Sequence, residues 1–348
     1  MKVLVAGGAG FIGSTVSSAC LDDGIEPVIL DNLSTGRPEF TRDRIFYHGD
    51  LADGPLLDRI FADHPDIMAV VHAAALIVVP DSVARPLHYY RENVAKSIDF
   101  VEHVLRNGCH RYLFSSSAAI YAPAADGSVD EDSPIEPTSP YARTKAMLEQ
   151  ILADVAVATP LRALSLRYFN PIGADPALRT GQHLRRPTHA LGKMISAYTE
   201  DEEFLVTGVD WPTRDGSGIR DYIHVWDLAR AHVHALRRFD DILPPAGASS
   251  ADAADAADAA MCRGGTLAIN LGTGDGTTVR ELVAAFRTVA DRPLRVRETG
   301  PRPGDQAGSF TRISRARRLL DWKPELSVTD GIRDSLRWAG LRDDRLTD

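Results

Sequence analysis

The amino-acid sequence predicts an α/β protein: a doubly wound parallel sheet followed by a smaller mixed α/β domain. Three observations carry this. Short β-rich runs alternate with helix-periodic stretches through the first 170 residues, with short connections between them. A glycine-rich turn joins the first strand to the first helix. At 348 residues the chain is too long for one ordinary compact domain and comfortable for two. The expected division is residues 1–170 and 171–348, with some segments of the second part returning to the first.

Taken in order, the first strand is Lys2 to Ala6. Gly7-Gly8-Ala9-Gly10-Phe11-Ile12-Gly13 follows it and opens an apolar helix. Strands are then expected at Pro27 to Asp31, Arg44 to His48, Ala69 to Ala75, Tyr112 to Ser116 and Ala163 to Arg167. Helices fall at Val94 to Asn107 and Tyr141 to Val157, the second begun by Ser139-Pro140. Val94, Ile98, Val101 and Leu105 recur at helical spacing and are expected in the core. Beyond Asn170 the pattern loosens, with strands near Phe204 to Thr207 and Thr266 to Asn270. This part is expected to close over the carboxyl edge of the sheet, where ligands bind in such folds. Pro244 to Ala260 (PPAGASSADAADAADAA) reads as a solvated surface insertion without chemistry.

Composition narrows the function. A net charge of −9 argues against nucleic acid as the main partner, because phosphate backbones need clustered Lys and Arg. A few arginines in a cleft can still hold one small anion. Cys20, Cys109 and Cys262 are an odd number without metal-ligand spacing, which suits a reducing cytoplasm. His232 and His234 lack a neighbouring ligand pattern and are read as structural, so no metal is expected. No signal peptide is visible, and no run is long enough to span a bilayer.

The glycine turn points to a dinucleotide. Gly7 permits a tight turn, Gly10 lets the backbone approach a pyrophosphate, and Gly13 lets the helix pack on the strand. Phe11, Ile12 and Gly13 then offer free N–H groups to the phosphates. Strand, turn and helix together make this a Rossmann-type site. Asp31 ends the second strand, where an acid bonds a ribose 2′-hydroxyl and repels a 2′-phosphate. NAD is therefore expected, although Arg37 keeps NADP open. Asn32, Asp50, Leu51, Ala73 and Tyr168 complete the cofactor-contacting set, with Asp50-Leu51 placed towards the adenine. His72 reads equally as a cofactor neighbour or a core residue.

Tyr141 and Lys145 are four apart on one helical face, so an ammonium can sit near a phenol. Lys145 and a positive nicotinamide ring would both lower the phenol pKa and make it a usable base. Ser117 closes the run Ser115-Ser116-Ser117 at a strand end, where its hydroxyl can bond a substrate hydroxyl. Ser117, Tyr141 and Lys145 are the candidate catalytic set.

These motifs resemble the extended short-chain dehydrogenase/reductase family, and within it the UDP-galactose (UDP-glucose) 4-epimerase branch. The likeness runs through GGAGFIG, VILDNLSTG, HAAALIVVPDSV, FSSSAAIYA, SPYARTK, LRYFNPIGA, DGSGIRDYIHVWDLA, INLGTGDG and RPGD. It implies that Ser117, Tyr141 and Lys145 are catalytic and contact cofactor or substrate. It also implies that Asn170, Arg220 and Arg302 contact a nucleotide-sugar diphosphate and that Asp305 binds its ribose. Guanidinium suits this task, since its fork pairs with phosphate oxygens; for Arg220 an internal salt bridge to Asp221 stays open. The implied reaction removes the sugar 4-hydroxyl proton and C4 hydride, turns the 4-keto sugar over, and returns both. Ile77 and Ala119 stand where some members carry Lys and a hydroxyl. Ser309 stands where some carry a bulky Tyr against the sugar C2 substituent, so UDP-GlcNAc and UDP-GalNAc are expected to fit as well. Asp175 to Pro187 and Phe204 to Gly208 diverge, so the uracil base rests on the resemblance. A 4,6-dehydratase or a decarboxylase would want acids where Ala118 and Ala119 stand. A uronic-acid or specialised-sugar 4-epimerase stays open, as does a non-catalytic NAD-binding sensor. A homodimer is the expected assembly.

Overall fold

Valine- and isoleucine-rich runs buried on both faces favour parallel pairing, with helices covering each side. The computed structural model describes residues 1–122, 126–245, 264–301 and 307–346, and in it these runs become consecutive strands. They are β1 (Lys2–Ala6), β2 (Glu26–Asp31), β3 (Ile45–His48), β4 (Ile67–His72) and β5 (Arg111–Ser117). The short β6 (Ser128–Val129) lies outside this sheet, and β7 (Arg162–Tyr168) rejoins it. The helices between them are α1 (Phe11–Asp22), α2 (Gly54–Asp63), α3 (Val79–Ala84), α4 (Pro86–Tyr90), α5 (Lys96–Arg106) and α6 (Pro140–Ala158).

Later elements complete both halves. They are β8 (Asn170–Ile172), α7 (Ala190–Thr199), β9 (Phe204–Thr207), β10 (Ile219–Arg220), β11 (Tyr222–His224), α8 (Val225–Arg237) and β12 (Thr266–Leu271). The main sheet has seven parallel strands in the order β12-β7-β5-β4-β1-β2-β3. Strand order reverses at β1, between β2 and β4, and that crevice is where α/β sheets bind ligands.

Two apolar layers sandwich the sheet. Val3, Val5, Leu113, Leu164 and Ile269 pack with Val16 of α1 and Leu228 and Leu236 of α8. Leu4, Leu30, Val70, Tyr112 and Phe114 pack with Leu57 of α2, Phe100 of α5 and Leu148 of α6. Each such buried side chain contributes about 1.5–3 kcal/mol. A third cluster holds α7, β9, β11 and the helices Val279–Val289 and Val328–Arg345 together. There β9 pairs with the strand Val296–Thr299.

Most sequence expectations shift by a residue or two, and three differ more. Ala73 to Ala75 leave the sheet after His72, because Ala74 lies against Gly7 and not in a ladder. The expected helix from Val94 begins instead as a π-helical turn, Arg91–Ala95, that runs into α5. Ile98 is not core: it is 44% exposed, and the buried face of this helix runs through Ser97, Phe100, Val101 and Val104. The segment Thr266–Leu271 joins the main sheet beside β7, in register from Thr266 opposite Ala163 to Leu271 opposite Tyr168. Residues 246–260 of the expected insertion lie outside the described residues.

Candidate active site

The glycine turn sits at the carboxyl end of β1. Gly7 has φ +82°, a conformation L side chains rarely adopt, and a Cβ there would lie 2.5 Å from the Ala74 nitrogen. A Cβ on Gly13 would lie 2.2 Å from the Gly7 carbonyl oxygen, so α1 approaches the strand exit as only glycine permits. Gly10 is different: its Cβ would meet only the Gly7 oxygen, at 3.5 Å. The turn is tight on two sides and open on the third, where Phe11 and Ile12 begin α1 half-buried. Helix N–H groups in that first turn have no partner within the helix.

At the end of β2, buried Asp31 accepts from the Ala9 N–H at 2.9 Å and the Leu33 N–H at 2.8 Å. Burial raises its pKa, with those two donors opposing. Exposed Asn32 donates to Asp50 at 3.0 Å, and Lys96 donates to the same oxygen at 2.8 Å. Partial burial pushes Asp50 up, but Lys96, the Ala52 N–H and Asn32 outweigh it and hold the carboxyl below its usual range. Leu51 packs on the α2–α5 face, and the Ala73 N–H donates to the Ala6 carbonyl at 2.9 Å. His72 is a core residue: fully enclosed by Phe100, Tyr112 and Phe114, it bonds Tyr112 Oη through Nδ1 at 2.7 Å. Burial drives its pKa down to about 3, keeping it neutral.

The catalytic candidates come together where β5 ends against α6. Ser139 caps α6 by accepting from the Ala142 N–H at 3.2 Å, with Pro140 in the first turn. This cap sets Tyr141 and Lys145 on the face turned to β5, both buried. The Lys145 ammonium donates to the Ser115 carbonyl at 2.8 Å and lies 4.8 Å from the Phe114 ring centre. The Ser117 hydroxyl accepts from the Ala119 N–H at 3.2 Å and acts on the Tyr141 phenol by favouring its ionised form. Tyr168 stands directly opposite Ser117 on the neighbouring strand.

Lys145 and a positive nicotinamide ring are expected to lower the Tyr141 phenol; in the protein chain itself burial sets the direction. Burial dominates and raises the phenol, and Ser117 is what opposes it. Burial also pushes the Lys145 ammonium down to about 7, with Glu149 countering.

The substrate-side residues occupy two small sheets outside the main one. Arg220 in β10 pairs with Ser309 in the strand Gly308–Thr311, and Asn170 in β8 pairs with Tyr222 in β11. Arg220 donates to the carbonyls of Ile219 and Ala307 at 2.6 and 2.9 Å. Its neighbour Asp221 is fully buried and accepts from the Thr273 N–H, the Thr273 hydroxyl and the Thr311 N–H at 2.8, 2.8 and 3.2 Å. Asp221 therefore stitches three segments beneath Arg220. Arg302 and Asp305 lie outside the described residues.

Sequence reasoning passed over a buried polar chain behind the catalytic strand. Glu149 accepts from Ser116 and from the Arg167 guanidinium, whose nearest nitrogen is 2.6 Å away. Arg167 also donates to Tyr121 Oη at 2.8 Å, which donates to Asn270 at 2.6 Å. The available signal was an acid one helical turn beyond Lys145. Lys96 was missed too, because its link to Asp50 spans 46 residues. Among the described residues no cluster suits a metal ion. His232 and His234 bond the backbone carbonyls of Leu228 and Leu320.

Residues 3–246 match the NAD dependent epimerase/dehydratase family. The chain belongs to that family. It is 40% identical over 340 residues to the UDP-glucose 4-epimerase of Azospirillum brasilense, spanning 97% of this chain and 91% of the relative. Among solved structures, it is similar to UDP-glucose 4-epimerase from Stenotrophomonas maltophila with bound NAD and formylated UDP-arabinopyranose. The TM-score is 0.88 at 34% identity, covering 98% of each chain. The UDP-Glc/GlcNAc 4-epimerase of Campylobacter jejuni gives a TM-score of 0.80 at 30% identity, covering 97% of this chain and 99% of the other.

Within the NAD dependent epimerase/dehydratase family, this chain has no acid at the two positions after Ser117. Ala118 is buried and Ala119 exposed, and neither can deliver the proton an elimination requires. The residues fit NAD: a turn closed at Gly7 and Gly13 but open at Gly10, small Ala73 and Ala74 beside it, and Asp31 at the next strand end.

Proposed function

We propose that the protein interconverts UDP-glucose and UDP-galactose by NAD-dependent inversion at C4. One observation carries this reading: Ser117, Tyr141 and Lys145 converge at the carboxyl end of the sheet in a chain so similar to curated UDP-glucose 4-epimerases. In this reading Gly7, Gly10, Phe11, Ile12 and Gly13 bind the cofactor pyrophosphate. Asp31, Asn32, Asp50 and Leu51 hold its adenosine half, and Ala73, Tyr168 and Lys145 its nicotinamide half. When bound, NAD supplies a hydride acceptor and donor at C4 and a positive charge beside the phenol.

The protein's own part is proton transfer and positioning. Tyr141 takes the C4 hydroxyl proton and later returns it, while Ser117 bonds the same oxygen and steadies the phenolate. Because burial raises the phenol, the base depends on nearby positive charge for its reactive form. Asn170, Arg220 and Arg302 grip the diphosphate, and Asp305 the ribose, so that the sugar can turn while the nucleotide stays fixed. Ser309, small and half-buried beside Arg220, leaves room for an N-acetyl group at C2. UDP-GlcNAc and UDP-GalNAc are therefore included as substrates.

Residues 1–170 form the cofactor domain in this reading and 171–348 the substrate domain, with α8 and β12 returning to the first. The assembly is a homodimer: Val83, Leu87, Ile98 and Met147 leave apolar side chains exposed on α3 to α6. The cytoplasm suits Cys20 and Cys109, which are free and buried. Among the described residues no helix is long and apolar enough to cross a membrane.

The test is Tyr141→Phe incubated with UDP-glucose, with C4 inversion read by NMR and bound NAD by absorbance. Epimerisation is expected to fall at least about 100-fold with NAD retained. Undiminished turnover in this variant would sink the reading.

A further inference from the structure

Three consecutive residues at the end of β5 act on one stripe of α6. Ser115 meets Lys145 through its carbonyl and Ser116 meets Glu149 through its hydroxyl, while the Ser117 hydroxyl favours the ionised form of the Tyr141 phenol. Tyr141, Lys145 and Glu149 are spaced four apart, so they form a single line along the helix. The first two rungs belong to the site already described. The third ends in a carboxylate that is only 12% exposed and is gripped by the buried Arg167.

We propose that Glu149 is a positioning residue for the reaction, holding the strand end against α6 and supplying the negative charge that keeps the Lys145 ammonium protonated. This rests on the reading of Lys145 as part of the catalytic set. The groups facing Lys145 leave Glu149 as its counter-charge. From β5 come the Phe114 ring and the Ser115 carbonyl, and from β4 comes His72, neutral in its aromatic cage. From its own helix come Tyr141, a neutral phenol until it acts as base, and Glu149. Arg167 on β7 reaches the Glu149 carboxylate and the Tyr121 hydroxyl and anchors that carboxylate in place. Burial alone pulls the ammonium towards its neutral form, and Glu149 opposes it. A neutral Lys145 would lose its attraction for a phenolate, so the charge on Glu149 reaches Tyr141 through Lys145.

The experiment uses the full-length, NAD-bound protein. The chain has five lysines, so carbon-13 labelling at lysine Cε gives few enough resonances for Lys145→Arg to assign the Lys145 signal. In Glu149→Gln the Lys145 titration midpoint is expected to fall by about one pH unit, with the other four lysines unmoved. The kcat–pH limb that depends on Lys145 should move with it, while KM for UDP-glucose holds. Glu149→Asp keeps the charge and is expected to restore the midpoint. Since Glu149→Gln strands Arg167 as a buried unpaired charge, Glu149→Gln/Arg167→Met is the second variant, with the same downward displacement expected. An unmoved Lys145 midpoint in either variant overturns the proposal. The NMR titration needs no turnover, so a wild-type protein inert towards UDP-glucose would defeat the functional reading while the Glu149 question is still decided.

Discussion

Burial raises the Tyr141 phenol, and the Ser117 hydroxyl opposes it. Ser117→Ala should therefore slow turnover about 10- to 100-fold and move the acidic limb of kcat, set by ionisation of the Tyr141 base, to higher pH, as a pH–rate profile would show. Ser309→Tyr is expected to abolish turnover of UDP-GlcNAc while sparing UDP-glucose, read by the same NMR assay for both sugars. Asp221 gives a prediction about stability. Burial raises its carboxyl to about 6, so the folded state holds that proton more tightly than the unfolded chain does. The sign follows: this group favours folding fully at pH below about 4, and its contribution is lost as pH rises through about 6. Two units correspond to roughly 3 kcal/mol. Chemical denaturation of the wild type should show that decline, and Asp221→Asn should flatten it. At this scale the glycine turn, Asp31 and the Ser117, Tyr141 and Lys145 set were legible as residues. Glu149, Arg167 and Lys96 were not, because their partners are tertiary: Arg167 meets Glu149 across two elements, and Lys96, at the start of α5, meets Asp50 in the loop after β3.

Elements were legible to the extent that their signals are local. The Ser139-Pro140 cap and the apolar face of α6 were both visible in sequence and give the observed Pro140–Ala158 helix. The π-helical turn at Arg91–Ala95 was hidden, because a single π turn set between α-helical segments has no residue signature of its own. The exit of β4 was misread for a related reason: Ala73 to Ala75 carry no turn residue, and only the backbone of Gly7 against Ala74 ends the strand. That contact makes the α1–β1 junction intolerant of bulk. Gly13→Ala would bring a methyl to 2.2 Å from the Gly7 oxygen, so the turn must shift. The expected result is a loss of about 1–3 kcal/mol of stability together with weakened NAD retention. Thermal unfolding and the NAD content of the purified protein check it.

For the whole molecule, the alternation of β-rich and helical runs was enough to predict the doubly wound sheet, but not which late segment completes it. Thr266–Leu271 reads as one more short apolar run, and only its ladder with β7 shows where it belongs. The exposed Val83 and Leu87, at 63% and 68%, are expected at the subunit contact, so Val83→Asp/Leu87→Asp should yield a monomer by light scattering. The placement of β12 also bears on how the protein is made. Synthesis proceeds from the amino end, and β7 emerges about a hundred residues before the strand that covers it. Until then the nascent chain carries a bare ladder of amides and carbonyls along Arg162–Tyr168, a template for pairing with other chains on the same messenger. Ribosome-bound intermediates that stop short of residue 266 should therefore be the stage most in need of chaperone cover.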